Sequence, residues 1–157
     1  MLSSKRAAAL RYGSILLLVV SFAEIGFPSH SGFARQGRNT DRTASEFLAQ
    51  RLQIWQQRLD LKAWNIRIEL TPASALEPKT LGNIHWDADV KTATIRVLSS
   101  KDYKLPYKEM MDDMELTVVH ELVHLTLSSL PRSEASRTTE EHAVNELSTA
   151  LLKLAKR

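Results

Sequence analysis

Leu116-Thr-Val-Val-His120-Glu121-Leu-Val-His124-Leu-Thr-Leu127 is almost wholly apolar outside its centre, where two histidines bracket a glutamate. A helix turns once in about 3.6 residues, so His120 and His124 share a face and can reach one metal ion from adjacent turns. Glu121 then projects beside that ion. Two neutral imidazoles can hold Zn²⁺, and a carboxylate within reach can take a proton from a metal-bound water as it attacks a carbonyl. The plainer account makes both histidines core residues that happen to lie one turn apart. Three polar groups in a buried helix are costly unless each finds a partner, and a metal site partners all three at once.

The surrounding elements are read from the same physics. Pro106 and the acidic pair Asp112 and Asp113 suit the start of a long helix that carries the motif late and stops near Leu130, ahead of Pro131. Upstream, Trp64, Ile66, Ile68 and Leu70 alternate with polar residues, which predicts a strand over 64–70 with one covered face. Residues 82–86 and 91–98 flank a turn at Asp87-Ala-Asp89 and predict two more strands, with a proline-containing loop over 71–79 before them. Thr43 or Ser45 can cap a helix to about Leu59, its apolar stripe running through Phe47, Leu48, Leu52, Ile54, Trp55 and Leu59. A last helix starts near Thr138, which forms a capping box with Glu141, and continues through Leu147, Ala150, Leu151 and Leu154. Together these predict an α+β domain over 43–157, with a small, mainly antiparallel sheet packed on helices.

Two histidines leave a catalytic zinc site one protein ligand short. Glu141 stands 17 residues after His124, far enough for the chain to turn and lay a second helix along the first. Asn145 lies four residues on and shares its face; Ser148, next round, is polar too. Glu141 is therefore the expected third ligand, and Asn145 a group that orients an imidazole through its other nitrogen. Glu140, about 100° round the helix, and His142, in a three-histidine site, are the rivals. The bland reading of the acidic pair is that it complements the positive end of a helix.

This arrangement resembles the gluzincin-type zinc metallopeptidases, especially their minimal single-domain members. The resemblance rests on His120, Glu121 and His124 in one helix and on Glu141 in a later helix with a polar residue four further on. Asn145 stands where larger gluzincins often have Asp. The resemblance covers roughly residues 60–155 and implies a zincin-like fold in which an edge strand binds an extended peptide beside the zinc. It implies peptide hydrolysis with Glu121 as general base and His120, His124 and Glu141 as ligands. Substrate pairing is expected on strand 82–86 or 91–98, and His85, Tyr103 and Tyr107 are candidates to stabilise the oxyanion. The alternative is an exported zinc-binding regulatory or interaction module with little turnover. A purely structural site has no use for an acid beside the first histidine, which favours hydrolysis.

Composition narrows the setting. The 157 residues carry a net charge of +3. Lys5, Arg6, Arg11 and Glu24 precede residue 35, which leaves 18 basic against 17 acidic residues, a near balance that gives no sign of a basic face for nucleic acid. Cysteine is absent, so zinc would need nitrogen and oxygen ligands. Three basic residues precede the short apolar stretch 15–23, and Gly32 and Ala34 then stand two apart, the pattern of a signal peptide or N-terminal anchor over 1–34. Residues 35–42 read as a polar linker. The domain is accordingly expected outside the cytoplasm, periplasmic or secreted, and at a membrane only if the leader is retained.

Overall fold

The computed structural model describes residues 13–14, 33–131 and 134–156. It is an α+β arrangement in which a small mixed sheet lies over two helices and a third helix flanks the second. The elements are β1 (Gly13–Ser14), α1 (Phe33–Arg58), β2 (Asn65–Thr71), β3 (Gly82–Asp87), β4 (Thr92–Leu98), α2 (Tyr107–Thr126) and α3 (Glu134–Ala155). The sheet order is β1-β3-β4-β2. Apart from the two-residue β1, its strands are six or seven residues long.

The sheet is mixed: two of its three strand pairings are antiparallel, as expected, and one is parallel. β3 and β4 form the expected antiparallel hairpin, but β2 runs parallel to β4, with Ile68 opposite Ile95. After β2 the chain crosses one strand position before starting β3, and β4 returns into the gap. A strand entering between two oppositely directed neighbours must run parallel to one of them. The hairpin turn is built as its residues suggest: Asp87 Oδ1 accepts the N–H groups of Asp89 and Val90 at 2.9 and 3.3 Å, and Lys91 takes a left-handed φ of 51°. Because β4 is flanked on both sides, strand 91–98 has no free edge for a substrate, and that expectation is corrected.

The period of two decides what faces the helices. Ile66, Ile68 and Leu70 of β2 pack with Ala93, Ile95 and Val97 of β4 and Ile84 of β3 in the core. Arg67, Glu69, Thr94 and Arg96 are joined in a polar network on the other face. α1 packs under β2, and α2 under β3 and β4. At the start of β3, a Cβ on Gly82 would meet Thr117 Cγ2 at 2.5 Å and the Arg96 carbonyl oxygen at 2.6 Å, so glycine is what lets β3 approach α2 so closely.

Both outer helices begin earlier than predicted. α1 starts at Phe33, so residues 35–42, read as a linker, are helical instead. Asp41 explains much of this. Its carboxylate accepts bonds from Ser99 Oγ at 3.1 Å, Ser100 N at 2.9 Å and Ser100 Oγ at 2.6 Å, fastening the helix to the turn after β4. Likewise α3 starts at Glu134 rather than near Thr138, with Thr138 inside the helix. Nothing between Pro131 and Thr138 breaks a helix. The leader predicted over 1–34 lies outside the described residues except for Gly13–Ser14 and the first turn of α1. Among the described residues, no helix is long and apolar enough to cross a membrane.

α2 starts where expected, with Pro106 at its N-cap and the Pro106 carbonyl accepting the Met110 N–H at 2.9 Å. It closes through a short 3₁₀ turn at Leu127–Ser129, and Leu130 is extended ahead of Pro131. One buried polar contact sets its position against α1. Glu115, 6% exposed, accepts Trp55 Nε1–H at 2.9 Å and lies 3.4 Å from Arg51 Nε. The carboxylate is satisfied, so α1 and α2 are joined at a defined register just ahead of the motif.

Candidate metal centre

The second half of α2 is buried on every side: Val118, Val119, Leu122, Val123 and Leu125 belong to the core, and His120, Glu121 and His124 are at most 1% exposed. α3 runs beside it. Val144 and Ser148, four apart, are fully buried in the contact. Ser148 Oγ returns its hydrogen bond to the Val144 carbonyl at 2.7 Å, so this polar position needs nothing from the centre and serves close packing. Glu141 lies on the same helical face one turn earlier, which delivers its carboxylate to the two imidazoles.

His120 Nε2 and His124 Nε2 stand 3.0 Å apart. Glu141 Oε2 is 3.5 Å from the first and Oε1 3.3 Å from the second. The rings meet edge to face, with centroids 4.7 Å apart and an interplanar angle of 65°. A tetrahedral zinc with bonds of about 2.0–2.1 Å places its ligand atoms about 3.3 Å from one another. The three groups therefore match the spacing of a His₂Glu zinc site. Glu141 is the residue of the acidic pair that faces both Nε2 atoms, as the helical face predicted.

Glu140 is part of the same cluster in another way. Its Oε1 lies 3.1 Å from His124 Nδ1, on the side of the ring away from Glu141. Asn145, exposed on α3 one turn beyond Glu141, acts on the His120 ring and favours its charged form. Consecutive residues on α3 thus address different nitrogens of one imidazole, while His142 is exposed and takes no part in the cluster.

Charge in the centre is unevenly held. Burial disfavours charge on His120 and lowers its pKa, with Glu141 and Asn145 pulling the other way. Burial also pushes the Glu141 carboxyl up, but hydrogen bonds and positive charge from the two histidines outweigh it and hold the pKa at about 2. Glu141 is therefore ionised at neutral pH, the state a ligand needs. Glu121 is the opposite case. It is fully buried, neither carboxylate oxygen has a hydrogen-bond partner among the described residues, and burial with the nearby Glu141 charge raises its pKa well above the ordinary value. An unpartnered buried carboxylate beside two histidines and an ionised glutamate is the donor set that a hard or borderline cation, with its water, completes.

Two of the three expected oxyanion donors, His85 and Tyr107, are not brought here. His85 alternates with core residue Ile84 and sits on the far face of the sheet, where Arg96 acts on it. Tyr107 opens α2 and is 54% exposed, some 13 residues or about 20 Å along the axis from His120. Tyr103 is held near Asp113 and Thr117, upstream of the motif.

No family model matches the chain, and no curated protein or solved structure matches it. The fold and the cluster define an α+β chain with a His₂-carboxylate group suited to a metal.

Proposed function

We propose that this chain is a zinc-dependent hydrolase of peptide bonds, related in plan to the minimal gluzincins. The observation that carries the reading is the convergence of His120, His124 and Glu141 at ligand spacing with a buried, unpartnered Glu121 beside them. Zinc, when bound, supplies an activated water and polarises the scissile carbonyl. His120 and His124 would bind through Nε2 and Glu141 through its carboxylate. Glu121 takes a proton on a carboxylate oxygen and returns it to the leaving amine; its raised pKa suits a group that must do both near neutral pH. An extended substrate would pair with β3, the strand over α2 that lies toward the edge of the sheet; Asn83 and Ile84 already pair with β1. Export, periplasmic or secreted, remains the setting that the leader supports.

One observation favours a second reading. His120, Glu121 and His124 are almost completely closed to solvent, as in a metal site that stabilises a binding module without turnover. One experiment separates the two. The full chain is assayed for bound zinc and for cleavage of a mixed peptide library, alongside Glu121→Gln and Glu141→Ala. Hydrolysis by the wild type that Glu121→Gln abolishes while zinc stays bound supports the enzyme. Zinc with no cleavage by either form supports the module. No zinc at all refutes both. Glu141→Ala should weaken zinc by about 100- to 1,000-fold, its share of a site that contributes on the order of 10 kcal/mol.

A further inference from the structure

We infer that this chain pairs with a second copy of itself along β2, edge to edge and antiparallel about Ile68, so that the two sheets become one. The pairing does not depend on the zinc reading. β2 lies at the opposite side of the sheet from β3, so the centre and the strand offered to substrate stay as they are.

Among the described residues β2 is paired on one side only, with β4, in an unbroken parallel register from Asn65 to Thr71. Asn65 N–H donates to the Lys91 carbonyl at 2.8 Å, and the Thr71 carbonyl accepts the Ser99 N–H at 2.8 Å. Alternate residues of a paired strand bond to a given neighbour. Asn65, Arg67, Glu69 and Thr71 therefore direct their main-chain groups at β4, whereas Ile66, Ile68 and Leu70 turn theirs to the open side. Natural edge strands are ordinarily blunted by a proline, a lysine, a bulge or a covering element. β2 has no proline, no lysine and no bulge.

The order of its side chains selects a second copy over any other extended chain. Turned about a two-fold axis at Ile68, Asn-Ile-Arg-Ile-Glu-Leu-Thr meets itself with Ile68 opposite Ile68, Ile66 opposite Leu70 and Arg67 opposite Glu69. The apolar positions are those with outward N–H and C=O groups, so each of their pairs exchanges both hydrogen bonds. Arg67 and Glu69 then fall at the non-bonded positions, where facing Cα atoms come to about 4.5 Å and side chains are closest. Their side chains are 73% and 47% exposed and already lie 3.3 Å apart within the strand, so each finds the same kind of partner across the axis. A parallel pairing would set Arg67 against Arg67 and Glu69 against Glu69, which like charges oppose.

A groove receives the apolar side of the incoming strand. Its volume is about 230 Å³, and it is bounded by Ser45 and Ala49 of α1 and by Ile66, Ile68 and Leu70 of β2. Ser45 and Ala49 are exposed and four apart on α1, and their short side chains keep the groove open. Ile66, Ile68 and Leu70 pack on the core yet are only partly buried. The same three side chains of the second copy would cover them.

The test uses the full chain as wild type, Arg67→Glu, Glu69→Arg and the double variant Arg67→Glu/Glu69→Arg. Sedimentation equilibrium over about 1–500 µM should show the wild type passing from monomer to dimer, as interfaces of modest size do. Each single variant sets like charges opposite one another at two places and should weaken the dimer about 10-fold. The double variant restores opposite charges and should return to within about threefold of wild type, and the two single variants should form a heterodimer when mixed. Amide exchange should slow at Ile66, Ile68 and Leu70 as concentration rises. A wild type that stays monomeric at the highest concentration overturns the inference: free exchange at those amides leaves the edge to an unrelated peptide, and protection in the monomer assigns it to a segment of the same chain. A dimer indifferent to both reversals, or one that the double variant fails to restore, overturns it by placing the contact elsewhere. Both substituted positions are exposed, and the exchange measurement on the wild type tests the edge without any substitution.

Discussion

Glu121→Gln should make the metal-free protein more stable at neutral pH, and the gain should disappear in acid. The native carboxyl is fully buried, both of its oxygens lack a hydrogen-bond partner among the described residues, and the charge of Glu141 adds to the cost of ionising it. Its pKa is raised above the ordinary value of 4.5 in the folded state, so the folded chain holds a proton that the unfolded chain has released. Stability then falls as pH rises from 4.5 through the folded value, and stays reduced above it. Glutamine has the same shape and never ionises. Below pH 4.5, where both side chains are neutral, the two proteins should unfold alike. At pH 8 the variant should gain about 1–3 kcal/mol, the cost of a buried polar group left unpaired, which for a domain of this size raises Tm by about 3–10 °C. Urea unfolding in chelator, followed by tryptophan fluorescence across that pH range, measures this. A variant that is equally stable at pH 8, or whose advantage persists unchanged at pH 4, would refute the claim that an unpartnered carboxylate is buried there.

Three further outcomes follow from the packing. Trp55→Phe removes the donor to Glu115 and should cost about 2–4 kcal/mol in urea unfolding, because the carboxylate stays buried with Arg51 as its remaining partner among the described residues. Gly82→Ala should cost about 1–3 kcal/mol; Thr117→Ser in the same chain should restore only part of this, since the Arg96 carbonyl still blocks the new Cβ. Burial raises the Asp113 carboxyl, against the opposing influence of the nearby Tyr103 hydroxyl. Its contribution becomes unfavourable as pH rises above 3.8, so Asp113→Asn should raise Tm at neutral pH and lose that advantage below 3.8, as a thermal scan series would show.

The parts of this chain that could be read in advance are those fixed by local periodicity. Four-residue spacing put His120 and His124 together, the helical face of Glu141 brought it to the same point, and alternation placed Ile66, Ile68 and Leu70 toward the core. Strand partners were another matter. Alternation says which face is covered and nothing about the neighbour, so the parallel pairing of β2 with β4 lay beyond it. The early start of α1 depends on Ser99 and Ser100, 58 and 59 residues away from Asp41, and no window of local sequence contains both. The dual use of Glu140 and Glu141 was missed for a geometric reason: an imidazole has two nitrogens, so two consecutive residues can both belong to its surroundings. For His85 the signal was present. Ile84 and Trp86 on the covered face require His85 on the opposite one.

α3 joins the rest of the fold chiefly along α2, through Val144, Ser148 and its partly buried leucines, and it also brings the acidic third member of the cluster. On the metal reading proposed above, occupancy of the centre and attachment of this helix would be one equilibrium. A cation present at about 100 times its dissociation constant adds about 2.7 kcal/mol to the closed form. A chain short of its cation would, on that reading, expose the C-terminal helix to a protease more readily. The working lifetime of the protein would then track the supply of its metal, with the chain itself acting as the gauge.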